Sequence, residues 1–199
     1  MKKMMLLGAL LLGVAVAGHA QESRQDVSLS ATELIAPNVN GLGVFPMRST
    51  LITGALASYR YMLTPRSALE LNYSWAQNTI YYNNISYGGR VHNRQEEISG
   101  AYVYSHTYGR YNPFVEAGVG GTVFTPIVDN GTSDLGVKQN TNVGGLFGAG
   151  LAYEISPSFD IRVEYRGFVM KAPDFGITNF KTNRYYVSST PAIGIAYHF

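Results

Sequence analysis

Apolar and polar residues alternate along most of the chain with a period of two, the signature of strands with two unlike faces. Toward the C-terminus Tyr185, Val187, Ser189, Pro191, Ile193, Ile195, Tyr197 and Phe199 alternate with Arg184, Tyr186, Ser188, Thr190, Ala192, Gly194, Ala196 and His198. Just upstream, Phe159, Ile161, Val163, Tyr165 and Val169 alternate with Asp160, Arg162, Glu164 and Arg166, which places four ionisable groups on one face of one strand. A helix would scatter those charges around its circumference. Further back, Val143, Phe147, Leu151 and Tyr153 oppose Asn142, Gly144, Gly148, Gly150 and Glu154, and Val115, Val119 and Val123 oppose Glu116, Gly118 and Thr122. Ile98, Tyr102 and Tyr104 oppose Glu97, Ser99, Ala101 and Ser105, while Leu69, Leu71, Tyr73 and Trp75 oppose Glu70, Asn72, Ser74 and Ala76. Residues 50–63 set Ala55, Ala57, Tyr59 and Tyr61 against Ser58 and Arg60; the weakest segment sets Val27, Leu29 and Ala31 against Ser28, Ser30 and Thr32.

These are eight predicted strands, and the breaks between them are of two kinds. Residues 64–67, 108–112 and 156–158 form tight turns, whereas 35–49, 83–93, 126–140 and 172–183 are longer and rich in Asn, Gly, Pro and Asp. Long and short breaks alternate strictly, so the pattern predicts an all-β, eight-stranded antiparallel up-and-down barrel whose two ends differ. A transmembrane barrel has that form, with short periplasmic turns, long extracellular loops and both termini on the periplasmic side. A soluble barrel would instead turn its apolar face inward. The aromatic residues decide between the two. Tyr59, Tyr61, Tyr102, Tyr104, Tyr153, Phe159, Tyr197 and Phe199 all belong to the apolar sets and all lie beside a short turn or the C-terminus. A ring of aromatics at one height suits a membrane interface and has no purpose in a soluble core. The apolar faces are therefore expected to meet lipid and the polar faces to line a narrow lumen.

Composition agrees. Only 14% of the 199 residues are charged, against about 25% in soluble domains. The 22 glycines and 15 tyrosines suit crowded interiors and interfaces. The absence of cysteine excludes disulfides, thiolate metal sites and cysteine nucleophiles. At the N-terminus Lys2 and Lys3 precede an apolar run over residues 4–17 and the small-residue site Gly18-His19-Ala20, which reads as a secretory leader, residues 1–20, cleaved after Ala20. Residues 21–199 would then be the barrel domain. Losing the two lysines leaves 13 basic against 13 acidic residues, so nothing in the charge points to nucleic acid.

The leader, the eight alternating strands and the terminal run from Ala192 to Phe199, with an aromatic at Tyr197 two residues before the last, resemble the small outer-membrane β-barrel family related to OmpX and the OmpA transmembrane domain. The resemblance covers the whole mature chain. It implies residence in outer-membrane lipid after export, and it implies that Ile193, Ile195, Tyr197 and Phe199 are the signal read by the barrel-assembly machinery. The family has no shared catalytic motif, so activity is not implied.

In such a barrel Arg60, Glu70, Glu97, Glu116, Glu154, Asp160, Arg162, Glu164 and Arg166 share one interior, six acids against three arginines. Isolated buried carboxylates are costly, so pairing is expected, with Arg162 and Arg166 bridging Glu164 and acids on adjacent strands. Most of these residues lie near short turns, which predicts that charge closes the periplasmic half. Gly118, Gly120, Gly144, Gly148 and Gly150 leave room that the two arginines could use. Higher up, Ile80, Tyr82, Phe168, Met170 and Tyr186 suggest a less polar cup open to the outside. Two functions remain open: a structural or surface-interaction barrel acting through its loops, or a small, narrow, cation-preferring channel or ligand-uptake barrel.

Other signals are weaker. His92, His106 and His198 are candidate bases beside Ser105 or Glu97, but His106 and Glu97 sit about 30 Å apart along one strand and cannot converge, so no enzyme is expected. The glycine clusters lack the phosphate-loop spacing and its lysine. No cofactor is called for, and no residues have metal-ligand spacing. Asp129 and Asp134 could hold a divalent cation weakly, although a solvated loop is the ordinary reading.

Overall fold

The computed structural model describes residues 24–40, 46–84, 87–128 and 136–199. The expected leader lies outside these residues, as do Asp129 and Asp134. The alternating segments fold as β1 (Gln25–Leu34), β2 (Met47–Ser49), β3 (Ile52–Thr64), β4 (Ser67–Asn84), β5 (Tyr87–Ser105), β6 (Tyr111–Pro126), β7 (Asn140–Ser156), β8 (Phe159–Lys171) and β9 (Tyr185–His198), with one 3-10 turn at Thr178–Phe180. From β3 to β9 each strand pairs antiparallel with the next, and β1 pairs with both β3 and β9. Eight strands thus close on themselves. The ninth segment, β2, pairs with the top of β4 above the end of β3. Thr50 links the two segments: its N–H donates to the Thr79 carbonyl at 3.1 Å, and its Oγ1 accepts from the Thr79 N–H at 3.1 Å. β2 therefore continues the line of β3.

The barrel closes at the β1–β9 seam, in register from Asp26↔His198 to Thr32↔Ala192. The ladder stops beside Pro191, which has no N–H to donate. It resumes as a single bridge between Ile35 and Ser189, with N–H···O contacts of 2.8 Å in both directions.

Inside and outside are opposite in chemistry. On β1, Leu29 is 68% exposed while its neighbour Ser30 is 3% exposed. The outward set includes Leu71, Ile98, Val119, Val143, Val163, Ile193 and Ile195; the buried inward set includes Glu70, Asn72, Ser99, Thr122 and Thr190. A soluble protein would show the reverse. Only lipid makes such a surface favourable, because apolar side chains exposed to water would forgo roughly 1.5–3 kcal/mol each. Near the short turns the outer surface is aromatic: Tyr111 packs on Tyr153 at 5.1 Å between ring centroids, Phe159 on Tyr197 at 5.1 Å, and Tyr197 on Phe199 at 6.0 Å.

The stretch at 83–93, expected as a long loop, is mostly strand. β4 and β5 pair continuously up to Asn84↔Tyr87. Its Asn- and Gly-rich composition reads as loop, yet inward Ile80, Tyr82 and Val91 are buried and carry the alternation through it. As a result β4 and β5, of 18 and 19 residues, stand well above β1, of 10. At about 3.4 Å per residue the difference is roughly 30 Å along the strand. Part of the 35–49 segment is also ordered, by β2 and by the bridge between Val39 and Met47.

Candidate functional site

The lower lumen, near the short turns, is held by three arginines. Arg60 on β3 stands in register with Glu70 on β4, and its Nε donates to Glu70 Oε2 at 2.7 Å. Arg162 on β8 reaches across the interior: its Nη2 donates to Asp26 Oδ1 on β1 at 3.1 Å, and its Nη1 donates to Ser28 Oγ at 3.3 Å and lies 4.0 Å from Glu70 Oε2. Arg166, two inward positions higher on β8, donates from Nη2 to Glu97 Oε1 at 3.1 Å and to Ser99 Oγ at 3.2 Å, with its Nε 3.3 Å from Glu116 Oε1. Glu164, buried between them on the same strand, completes this ionic layer. The Phe114 ring takes the Arg60 guanidinium at 4.8 Å and that of Arg162 at 5.8 Å from its centroid. Each cation gains a π-face as well as a carboxylate.

The expectation that Arg162 and Arg166 bridge to adjacent strands is corrected. Their partners lie on β1, β4, β5 and β6, none of which pairs with β8 and of which β4 stands opposite it, because a closed barrel turns inward side chains toward one axis whatever the strand order. The room beside β8 is also filled differently. A Cβ at Gly148 would fall 2.4 Å from Glu116 Oε1, and one at Gly150 would fall 2.4 Å from the Phe114 ring. These β7 glycines accommodate two large side chains of β6, not the arginines. Glu154 sits opposite Asp160 beside a turn and is only half-buried, outside the compact cluster. Asp26, fully buried, belongs to that cluster although the sequence pattern did not mark it. Its signal was available, since Asp26 lies two residues before Ser28 on the inward face.

At the short-turn end of the barrel a cavity of about 140 Å³ is lined by Asp26, Arg60, Phe114, Asp160, Arg162 and His198 among others. It has room for a few waters or a small ion, well short of the ~300 Å³ of an ordinary small-molecule pocket. His198 Nε2 lies 2.8 Å from Asp160 Oδ2 at its rim.

The upper lumen is apolar and filled. Ile80, Tyr82, Phe168, Met170 and Tyr186 do cluster, but the cup they were expected to leave open is occupied by Phe175 and Phe180 from the β8–β9 loop, together with Val39, Met47, Val91 and Phe124. Tyr82 stacks face to face on Phe180 at 3.9 Å and donates from its hydroxyl to the Pro173 carbonyl at 2.7 Å. Phe175 meets Tyr82 edge-on at 6.3 Å and Phe124 at 6.4 Å. Its backbone has φ 50, a left-handed conformation that costs a bulky residue about 1–3 kcal/mol. Complete burial of the ring offsets that cost. Periodicity could not reveal this plug, because residues 172–183 have none.

The remaining candidates do not converge. His92 contacts Thr79 through Nδ1 at 3.1 Å, His106 packs on the Tyr108 ring at 4.5 Å, and His198 meets Asp160. Among the described residues no three or more His, Asp or Glu side chains come together as a metal site would require. Ile193, Ile195 and Tyr197 all face outward on β9, and the Phe199 N–H donates to the Gln25 carbonyl at 3.0 Å, fixing the chain end to β1.

The fold has clear relatives of known structure. Neisserial surface protein A is 19% identical, with a TM-score of 0.62 over 89% of this chain and 98% of that one. OprG of Pseudomonas aeruginosa is 13% identical, with a TM-score of 0.63 over 90% and 98%. The attachment invasion locus protein Ail of Yersinia pestis, solved with the heparin analogue sucrose octasulfate, is 15% identical, with a TM-score of 0.51 over 88% and 99%. Comparison with curated protein sequences finds no match. The model of the outer membrane protein beta-barrel domain matches residues 6–199. With that match along nearly all of its length and a closed eight-stranded barrel clad in apolar residues, the chain belongs to the outer membrane protein beta-barrel domain family of bacteria.

Proposed function

We propose that the chain is a non-conducting, non-enzymatic barrel that anchors a recognition surface in the outer membrane, with its specificity in the loops and strand ends that rise above the lipid. One observation carries this reading: its own side chains fill the lumen twice, by the arginine–carboxylate layer below and the Phe175–Phe180 plug above. Liposomes containing the refolded protein should then show no swelling in small sugars or amino acids beyond protein-free controls, and solute-selective swelling would refute it. Under the same reading residues 1–20 are removed after Ala20, residues 21–199 form the barrel domain, and the outward Ile193, Ile195, Tyr197 and Phe199 are read by the barrel-assembly machinery.

The narrow, cation-preferring channel or uptake barrel retains one supporting observation, the buried excess of acids over arginines: Asp26, Glu70, Glu97, Glu116, Asp160 and Glu164 against Arg60, Arg162 and Arg166. Conduction by that route requires the plug to leave.

A further inference from the structure

The cavity at the short-turn end is lined unevenly. Asp26, Arg60, Phe114, Asp160 and Arg162 are buried and form its floor, whereas half-buried Ser105 and Asn112 and exposed Thr107 form a rim that opens to solvent. The floor is left with unmet hydrogen-bonding capacity. Asp26 is fully buried, yet Arg162 engages only its Oδ1, at 3.1 Å, and its Oδ2 has no hydrogen-bond partner. Arg162 is 2% exposed; its two Nη atoms donate to Asp26 and Ser28, and its Nε has no hydrogen-bond partner. A buried polar atom left in this way carries the full cost of its lost hydration. One of the two atoms needs a donor and the other an acceptor, and the strands that carry them, β1 and β8, flank β9 on either side.

Charge and size narrow the occupant. A simple cation in this cavity would face Arg60 and Arg162, and a simple anion would face Asp26 and Asp160. A molecule that carries both an ammonium and a carboxylate can meet each sign with its opposite, and a guanidinium fork suits a carboxylate in particular. Ser105, Thr107 and Asn112 add neutral donors and acceptors at the rim, while Met62 and Ala152 leave an apolar corner suited to a methyl group. The volume of about 140 Å³ sets the scale. A cavity of about 150 Å³ accepts benzene, and alanine has as many non-hydrogen atoms as benzene.

We propose that the cavity binds a small α-amino acid as its zwitterion, with the ammonium toward Asp26 and the carboxylate toward the Arg162 guanidinium. The Arg166–carboxylate layer closes the lumen above, so the ligand enters and leaves by the same end. This is a binding site at a closed end, separate from any recognition by the loops at the other end of the barrel.

The test titrates the full barrel, refolded in uncharged detergent micelles, with alanine, ethylamine and propionate, reading the rim amides of Thr107 and Asn112 by NMR. Alanine should shift both amides with a dissociation constant on the order of 1 mM, modest for a ligand of its size. Ethylamine lacks the carboxylate and propionate the ammonium, so each should bind about tenfold more weakly or worse. Ala152→Leu extends an uncharged side chain into the cavity and should abolish the alanine shifts, whereas Ala57→Leu on the lipid face should keep them; heat-modifiable gel migration shows that each variant is folded. Rim amides of the unaltered protein that stay still at tens of millimolar alanine overturn the proposal. Ethylamine binding as well as alanine would make the cavity a cation site, and propionate binding as well would make it an anion site; either result overturns it too. Alanine shifts that persist unchanged in folded Ala152→Leu would place the ligand elsewhere and overturn it likewise.

Discussion

The lower and upper halves of the lumen are both closed, but by different physics. Below, charged side chains on rigid strands reach across the interior, so Arg162 ties β8 to β1 and β4, and Arg166 ties β8 to β5 and β6. Above, aromatic rings from a loop fill an apolar cup, and nothing in the closed ladder requires them to stay. A buried ion pair adds little net stability over an apolar isostere, yet removing one partner costs about 3–5 kcal/mol because the other charge is stranded. An apolar ring in a loop contributes its burial and can leave without breaking the barrel. The lower layer therefore constrains the whole barrel, and the plug constrains one loop.

Arg162→Ala should break the lower half most severely, lowering unfolding stability in lipid vesicles by about 3–5 kcal/mol, seen as an earlier urea midpoint. Adding Asp26→Leu to Arg162→Met should recover most of that loss, since no charge of that pair is then left unpaired. Gly148→Ala, whose Cβ would intrude on the Glu116 carboxylate, should cost about 1–3 kcal/mol in the same measurement by overpacking. Phe180→Ala separates the halves: the global midpoint should move by about 1 kcal/mol or less, while hydrogen exchange accelerates at the Ala172 and Lys138 amides, which bond to Arg184 and Phe175. A global loss as large as that of Arg162→Ala would make the plug integral to the barrel. Gly100→Ala should leave stability unchanged, because a Cβ there meets nothing within 4 Å.

The two halves were also unequally legible in the sequence. Period-two alternation placed Glu70, Glu97, Glu116, Arg162 and Arg166 on inward faces, and the structure puts them there, because a strand with one lipid face leaves its alternate residues no other direction. Their partners were not legible: alternation names neighbouring strands, while the pairs of Arg162 and Arg166 depend on which residues face each other across a closed barrel. Asp26 escaped notice because β1 carries the weakest pattern. The 83–93 stretch was misread because Asn and Gly mark loops in most chains, whereas here buried Ile80, Tyr82 and Val91 keep a tall hairpin paired. Phe175 and Phe180 lie in a segment with no period, and their burial is a tertiary outcome.

Recording from planar bilayers tests the closed lumen most directly. The refolded barrel should insert and leave the membrane electrically silent at neutral pH, with no steady conductance above baseline. Stepwise, cation-selective openings from the unaltered protein would contradict the account, since ions would then be passing through both the arginine–carboxylate layer and the aromatic plug.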